Sequence, residues 1–225
     1  MKTLIAIPCM DTVPSGFVQS LLHLEKGQNV SVLMQTNTLI YDSRNLITLQ
    51  AIEQNFDRVM WFDSDMMFTP LTMRMLAYDL DGQSVMGDSN ASRFPGCDMV
   101  TGLYFKRRPP HTPVILRTLE EPERDQSGRL VKHTDDYINY PKNQLFPVRG
   151  CGMGCCMTSV KLLKHVWEKF GPAFTPFPWA GEDISFCHRV NQLGYQIWCD
   201  SRIICGHIGT VVYTEENCTK RGDAN

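Results

Sequence analysis

A chain of 225 residues with 43% hydrophobic and 20% charged side chains has the make-up of an ordinary globular α/β domain, or two small ones, and can bury a substantial core. Its formal net charge of -2 argues against a nonspecific nucleic-acid binder, whose affinity would rest on excess lysine and arginine. The first apolar run, 4–7, stops at Pro8 and is too short for a signal h-region or a membrane span, so the expectation is a cytoplasmic chain with no transmembrane segment.

Residues 2–7 are rich in aliphatics and end at Pro8, which has no amide hydrogen to extend a ladder, so they read as a first strand. After a loop at 9–14, Ser15 reads as an N-cap. Phe17, Val18, Leu21 and Leu22 then make one helical stripe that Gly27 closes. Val30–Gln35 is a second strand, and strand, helix, strand is how a doubly wound parallel sheet opens. Neither G-x-G-x-x-G nor G-x-x-x-x-G-K follows the first strand, which disfavours ordinary dinucleotide and P-loop phosphate binding. A polar connector, 36–43, leads to a second amphipathic helix that begins at Arg44 and carries Leu46, Ile47, Ala51 and Ile52 on one side. An arginine in a first turn opposes the helix dipole and points to another partner.

Arg58–Phe62 reads as a buried strand that runs straight into Asp63-Ser64-Asp65. In an extended segment the side chains at i and i+2 point the same way, so Asp63 and Asp65 converge on one centre. Two carboxylates that close raise each other's pKa unless a divalent cation neutralises them, and a metal is the simplest resident. The same pair also reads as two acids facing water at a strand end. Thr69-Pro70 then supplies an N-cap and N1 pair for a helix over 71–80.

Residues 81–96 are polar and read as a surface excursion. A strand at 98–105 ends in Lys106-Arg107-Arg108-Pro109-Pro110, a solvated loop unless a phosphate lies beside it. Residues 120–136 read as a hairpin or flap. The glycines of Gly150-Cys151-Gly152-Met153-Gly154 permit close approach of the backbone to a ligand or to another strand. A helix over 162–170 and a loop rich in proline and aromatics lead to Gly181-Glu182-Asp183, which opens a helix that Gly194 stops. Those acids serve equally as caps or as catalytic groups. After a short strand at 196–199, Gly206 and Gly209 flank His207 and leave its imidazole accessible, which suits a ligand role. Nine cysteines, odd in number and set in apolar runs, read mostly as reduced core residues. The groups Cys151, Cys155, Cys156 and Cys199, Cys205, His207 lack the paired C-x-x-C spacing of structural zinc.

Taken in order, several of these segments resemble glycosyltransferases of the GT-A fold, close in pattern to the family-2-like enzymes that use nucleotide sugars. The matching residues are Ala6-Ile7-Pro8, Ser43-Arg44-Asn45, Trp61-Phe62-Asp63-Ser64-Asp65-Met66, Val100-Thr101-Gly102-Leu103-Tyr104, Gly181-Glu182-Asp183-Ile184-Ser185-Phe186 with Gly194-Tyr195, and Gly206-His207. The resemblance implies an α/β, Rossmann-like fold with a mixed, mostly parallel central sheet flanked by helices. It also implies one domain, with a nucleotide-binding half over about 1-110 and an acceptor-binding half over about 111-225.

The implied activity is metal-dependent transfer of one sugar from a nucleotide sugar, a UDP-sugar above all, to a hydroxyl on a glycan, small molecule, protein or modified base. Mn2+ or Mg2+ would sit on Asp65, His207 and Asp63 and act as a Lewis acid on the leaving diphosphate. The donor would contact Pro8, Cys9, Met10, Arg44, Asp63, Ser64 and Gly102, with Arg44 near the uracil. Asp183 resembles the base that takes the acceptor's proton, with Glu182 second in line. Trp179 and Met153 are assigned to the acceptor side, where Trp179 and Phe177 stack on a sugar face or simply pack. An aspartate base fits an inverting displacement, although retaining GT-A enzymes share the D-x-D and the late histidine.

Two features depart from the pattern. The acids that many relatives carry just after the second strand are replaced by Gln35-Thr36-Asn37, and the expectation is a stand-alone transferase adding one sugar rather than a polymerising relative with a long extension. Two other classes compete. A phosphatase of the haloacid dehalogenase type also places D-x-D at a strand end with the first Asp as nucleophile, but it wants Thr or Val where Met67 stands. A noncatalytic nucleotide-sugar binder would keep the fold without the chemistry.

Overall fold

The computed structural model describes residues 1–83, 94–131 and 134–209. Residues 84–93 of the expected excursion and 132–133 of the expected flap lie outside them.

The chain opens as expected, with β1 (Thr3–Pro8), α1 (Ser15–His23) and β2 (Val30–Gln35) in a parallel unit. Every residue of β1 is buried. Leu4 and Ala6 join one core cluster and Ile5 and Ile7 the other, which is the signature of a strand covered on both faces. The second helix, α2 (Ile40–Glu53), starts a turn earlier than Arg44, because Leu39-Ile40-Tyr41 contains no breaker and Ser43 N already bonds Leu39 O. Arg44 therefore sits inside the helix at 2% exposure, and the argument from a first-turn dipole does not apply to it.

Strand β3 (Arg58–Phe62) is followed by a two-residue strand, β4 (Met66–Met67), and a turn before α3 (Thr72–Leu80). After β5 (Met99–Leu103) the chain builds a small antiparallel sheet from β6 (Ile115–Leu119), β9 (Thr134–Asp136) and β11 (Gly150–Cys151). The expected flap contains a hairpin, β7 (Glu123–Arg124) with β8 (Leu130–Val131), whose turn is tied by Asp125 Oδ1 accepting from Ser127 N and Arg129 N. The remaining elements are β10 (Leu145–Val148), β12 (Cys155–Ser159), α4 (Val160–Phe170), α5 (Glu182–Gln192), β13 (Ile197–Ile204) and β14 (Gly206–His207). Strand β13 runs well past the expected 196–199 and is bulged between Asp200 and Ile204.

The central sheet has seven strands in the order β10-β13-β5-β12-β3-β1-β2. Strands β10 and β12 run against the other five, so it is mixed and mostly parallel. It draws strands from both halves of the chain. Helices α1 and α3 cover one face, where Phe17, Met73 and Leu76 meet Met60 and Phe62. Helices α2, α4 and α5 cover the other, where Ile47, Leu163 and Phe186 meet Trp61. Side chains such as Trp61, Phe174 and Phe186, fully buried, each contribute about 1.5–3 kcal/mol relative to exposure. Eight described cysteines are free thiols, and all but Cys97 are buried. No helix among the described residues is long and apolar enough to cross a membrane.

Candidate active site

The antiparallel strand β12 is what fixes the acidic strand end. It pairs along β3 with Cys155 opposite Phe62, and the Gly154 carbonyl just before it accepts from Asp63 N at 3.1 Å. The chain then turns rather than continuing extended, with Met66 N bonded to Asp63 O at 3.1 Å. The i, i+2 convergence expected of an extended segment is thus not the geometry present. Asp63 and Asp65 nevertheless line the same cleft, carried there by the turn.

Three adjoining cavities follow one another across this end of the sheet. The first, about 200 Å3, lies among Pro8, Cys9, Met10, Ser64 and both aspartates. Its wall is held by backbone bonds from Cys9 N to Gln35 O and from Asn37 N to Met10 O. The second, about 840 Å3, shares Asp63 and Asp65 with the first and adds Tyr104, Arg107, Arg108 and His207. The third, about 290 Å3, shares Lys106, Val114 and Asp183 with the second and is closed by Trp179, Ile115 and Ile184.

His207 reaches Asp65 through the smallest element of the fold. Strand β14 pairs antiparallel with β4, His207 opposite Met66, and Ile208 N bonds Asp65 O at 2.8 Å. His207 Nδ1 donates to the Phe105 carbonyl at 2.8 Å, which leaves Nε2 facing Asp65 Oδ2 at 3.5 Å. Arg107 Nη1 approaches the same Oδ2 at 2.8 Å. Burial alone would raise the Asp65 pKa, but the hydrogen bond and charge of His207 and the charge of Arg107 outweigh it and hold the carboxyl below its ordinary range. The Asp65 hydrogen bond correspondingly raises His207.

Asp63 lines the same cleft but is held by a different cation. Arg44 Nη2 binds its Oδ1 at 2.6 Å and Arg44 Nη1 binds Glu182 Oε1, so one buried guanidinium joins the strand-end acid to the first turn of α5. Burial would lower the Arg44 pKa, yet Asp63, Glu182 and Asp183 together raise it. Arg44 lines none of the three cavities, because the helix that carries it turns it towards these carboxylates. Among the described residues no group of three or more His, Cys, Asp or Glu side chains is placed to hold a metal. The expected set of Asp65, His207 and Asp63 is reduced to a close pair. One carboxylate and one imidazole suit a divalent transition ion such as Mn2+, which takes nitrogen as well as oxygen donors and would complete its shell with phosphate oxygens and water, and the Phe105 carbonyl fixes the imidazole as a second shell does.

Asp183 stands on the shared wall of the second and third cavities. Its Oδ1 accepts from Ile184 N at 2.7 Å at the start of α5. Burial, then the Glu182 charge, push its pKa up to about 6, against the opposing pull of Arg44 and the Ile184 amide. The loop before it is pinned to the helix: Ser185 Oγ accepts from Phe177 N and donates to Ala180 O, and Arg189 lies over the Phe177 ring at 4.4 Å. Asn45 contributes from α2 by accepting from Phe174 N at 2.8 Å. Trp179 stacks on Phe177 with centroids 5.2 Å apart and lines the third cavity, so the aromatic pair both packs and presents a ring to the pocket.

Two expected contacts lie in the interior. Met153 is 1% exposed in the core and presents no surface to an acceptor. Gly102 is buried within β5, where a Cβ would meet Ile203 Cγ2 at 3.1 Å and Cys155 Sγ at 3.2 Å, so its bare backbone serves sheet packing. The glycines at 152 and 154 make room for Tyr104, whose hydroxyl would lie 2.1 Å from a Cβ at Gly152 and accepts from Gly154 N at 3.0 Å. Sequence reasoning did not assign Tyr104, Lys106, Arg107 or Val114 to the site. The run of basic residues was the one available signal, and it became legible only beside Asp65.

No family model matches the chain, and no curated protein matches it in sequence. Among solved structures it is similar to A197 from STIV, at 16% identity over 93% of this chain and 87% of that one, with a TM-score of 0.65. It is also similar to GalNAc-T7 solved with UDP, GalNAc and Mn2+, at 9% identity over 92% of this chain and 44% of that one, with a TM-score of 0.55. At these identities the likeness is one of fold, and the mostly parallel sheet with helices on both faces is compatible with the GT-A-like arrangement that the sequence resemblance implied.

Proposed function

We propose that the protein is a metal-dependent glycosyltransferase that moves one sugar from a nucleotide sugar, a UDP-sugar first, to an acceptor hydroxyl. The observation that carries this reading is the continuous row of cavities in which a carboxylate with a pKa of about 6, Asp183, stands between a charged cleft and an apolar pocket. A fold shared with a protein solved with UDP, GalNAc and Mn2+ supports the choice of ligands. In this reading the nucleoside lies against Pro8, Cys9, Met10 and Ser64, and the diphosphate lies in the charged cleft beside Asp63 and Asp65. Bound at Asp65 and His207, Mn2+ or Mg2+ would neutralise charge on the leaving diphosphate. The acceptor lies against Trp179 with its hydroxyl towards Asp183.

The acceptor oxygen attacks the anomeric carbon, the bond from that carbon to the diphosphate oxygen breaks, and the proton passes to a carboxylate oxygen of Asp183. A single displacement of this kind inverts the anomeric centre. Asp183 is mostly ionised at neutral pH and so is ready to accept a proton. Arg44 holds Glu182, which supports Asp183 rather than Glu182 as the base.

The test is a panel of nucleotide sugars with Mn2+, scored for thermal stabilisation and for hydrolysis. UDP-sugars should stabilise the protein in a metal-dependent way, and Asp65→Ala should abolish that. Asp183→Asn should keep donor binding and lose transfer by about 10²–10⁴-fold. Absence of any nucleotide-sugar binding with metal present sinks the proposal. Phosphate release from sugar phosphates would favour a phosphatase.

A further inference from the structure

The loop after β5 is more than a solvated basic run. It is closed on itself by Lys106 N to Thr112 O, His111 N to Arg108 O and His111 Nδ1 to Lys106 O, at 2.9, 3.0 and 2.9 Å. A loop so tied sends Lys106, Arg107 and Arg108 into the charged cleft. The three differ in commitment. Lys106 is bound to Asp136 at 2.6 Å. Arg108 has no ion-pair partner among the described residues. Arg107 lays its stem over Gly209, whose would-be Cβ lies 3.5 Å from Arg107 Cδ, and puts its guanidinium on Asp65 Oδ2. That oxygen is also the one His207 Nε2 faces.

A divalent ion shared by Asp65 and His207 needs that oxygen, and two cations cannot both hold it at contact distance without strong repulsion. The Arg107 side chain is 52% exposed, so its head swings at little cost, and a planar guanidinium is well matched to phosphate oxygens. Resting on the glycosyltransferase reading above, we propose that Arg107 is an exchangeable counter-cation: it holds Asp65 while the metal site is empty, yields the oxygen when a divalent ion binds, and then, with Arg108, grips the diphosphate of the nucleotide. Asp65 is thereby never left as a lone carboxylate in the cleft. Metal and nucleotide bind in a coupled way, since the ion releases the arginine that the diphosphate uses.

The proposal makes opposite predictions for one substitution. Binding of Mn2+ alone, followed by the electron paramagnetic resonance signal of the free ion, should be about fivefold tighter in Arg107→Gln than in the parent. That is what loss of a competing, half-exposed ion pair amounts to. UDP binding in saturating Mn2+, measured by calorimetry, should be about tenfold weaker in the same variant, the scale of one hydrogen bond to a charged group. Arg107→Lys should restore most of the competition with Mn2+ but only part of the UDP affinity, since it keeps the charge and loses the fork. Unchanged Mn2+ affinity in Arg107→Gln, with Asp65→Asn still weakening it, overturns the exchange and leaves the metal-dependent reading standing. Mn2+ affinity equal in the parent, Arg107→Gln and Asp65→Asn overturns both. UDP affinity unaffected by Arg107→Gln removes the arginine from the diphosphate.

Discussion

Among the described residues two clusters set one arginine against two carboxylates, Arg44 buried in one and Asp79 and Asp200 buried in the other, and they hold charge in different ways. At the candidate site Arg44 stands between Asp63 and Glu182, one nitrogen to each, so the carboxylates are separated by the cation. Beneath the far part of the sheet, Arg202 binds Asp200 through Nε and Nη2 and reaches Asp79 at 3.2 Å, while the two carboxyls also face each other. Asp79 is 5% exposed and Asp200 fully buried. Burial, then the charge of Asp200 and a hydrogen bond with it, push Asp79 up to about 8. Each cluster sets two carboxyls against one guanidinium, but in the second the two carboxyls also meet each other, and there the raised Asp79 keeps a proton. It is the contact between acids, added to burial, that raises Asp79 despite the guanidinium beside it.

Removing the cation tests this most severely. Arg44→Met should cost about 3–5 kcal/mol in denaturant unfolding, because two buried or half-buried carboxylates then face each other with no counter-charge. A loss below about 1 kcal/mol would mean the clamp contributes little.

The second cluster predicts a pH effect instead. The Asp79 pKa lies above the ordinary 3.8, so the folded chain keeps a proton that the unfolded chain has lost. Its contribution is full below about pH 4 and is lost as the pH rises through about 8. Stability should fall with pH over that window by at most about 1.4 kcal/mol per unit, and Asp79→Asn should flatten the slope and be more stable than the parent above pH 8. An unchanged slope would place the shared proton elsewhere.

The smallest effect belongs to the site cluster's neighbour. If Asp183 is the base proposed above it must be ionised, so the rate should rise with pH through about 6. Glu182 is one of the charges that raise Asp183. Glu182→Gln should therefore move that limb downwards by a fraction of a unit, as read from kcat against pH. A limb that moves upwards would show that Arg44, freed from Glu182, moves away from Asp183 and withdraws the charge that lowers it.

Much of this was legible from residue order. The strand-helix alternation, the strand ending in Asp63-Ser64-Asp65 and the helix opening at Glu182-Asp183 all follow from local chemistry, which a sequence displays, whereas the glycines beside His207 suggested an accessible imidazole and the side chain is only 18% exposed. The parts that escaped depend on pairing at long range. Nothing local announces that β12 inserts between β3 and β5, or that Met66 and His207 share a two-residue ladder. Orientation escaped as well: Arg44 looked like a terminal residue and is an interior clamp, while Met153 and Gly102 are flanked by site segments but point into the core. Spacing says which residues are neighbours along an element and not which way the element is rolled.

The common wall formed by Lys106, Val114 and Asp183 also has a consequence for inhibition. The two cavities adjoin there, sharing these three side chains. A short tether joining their occupants would turn the second binding event into an intramolecular one at a millimolar effective concentration, so avidity could exceed either affinity by about 10²–10⁴-fold. On the function proposed above, a compound that joins a nucleoside diphosphate to an aromatic-stacking group beside Asp183 would gain this without a new contact.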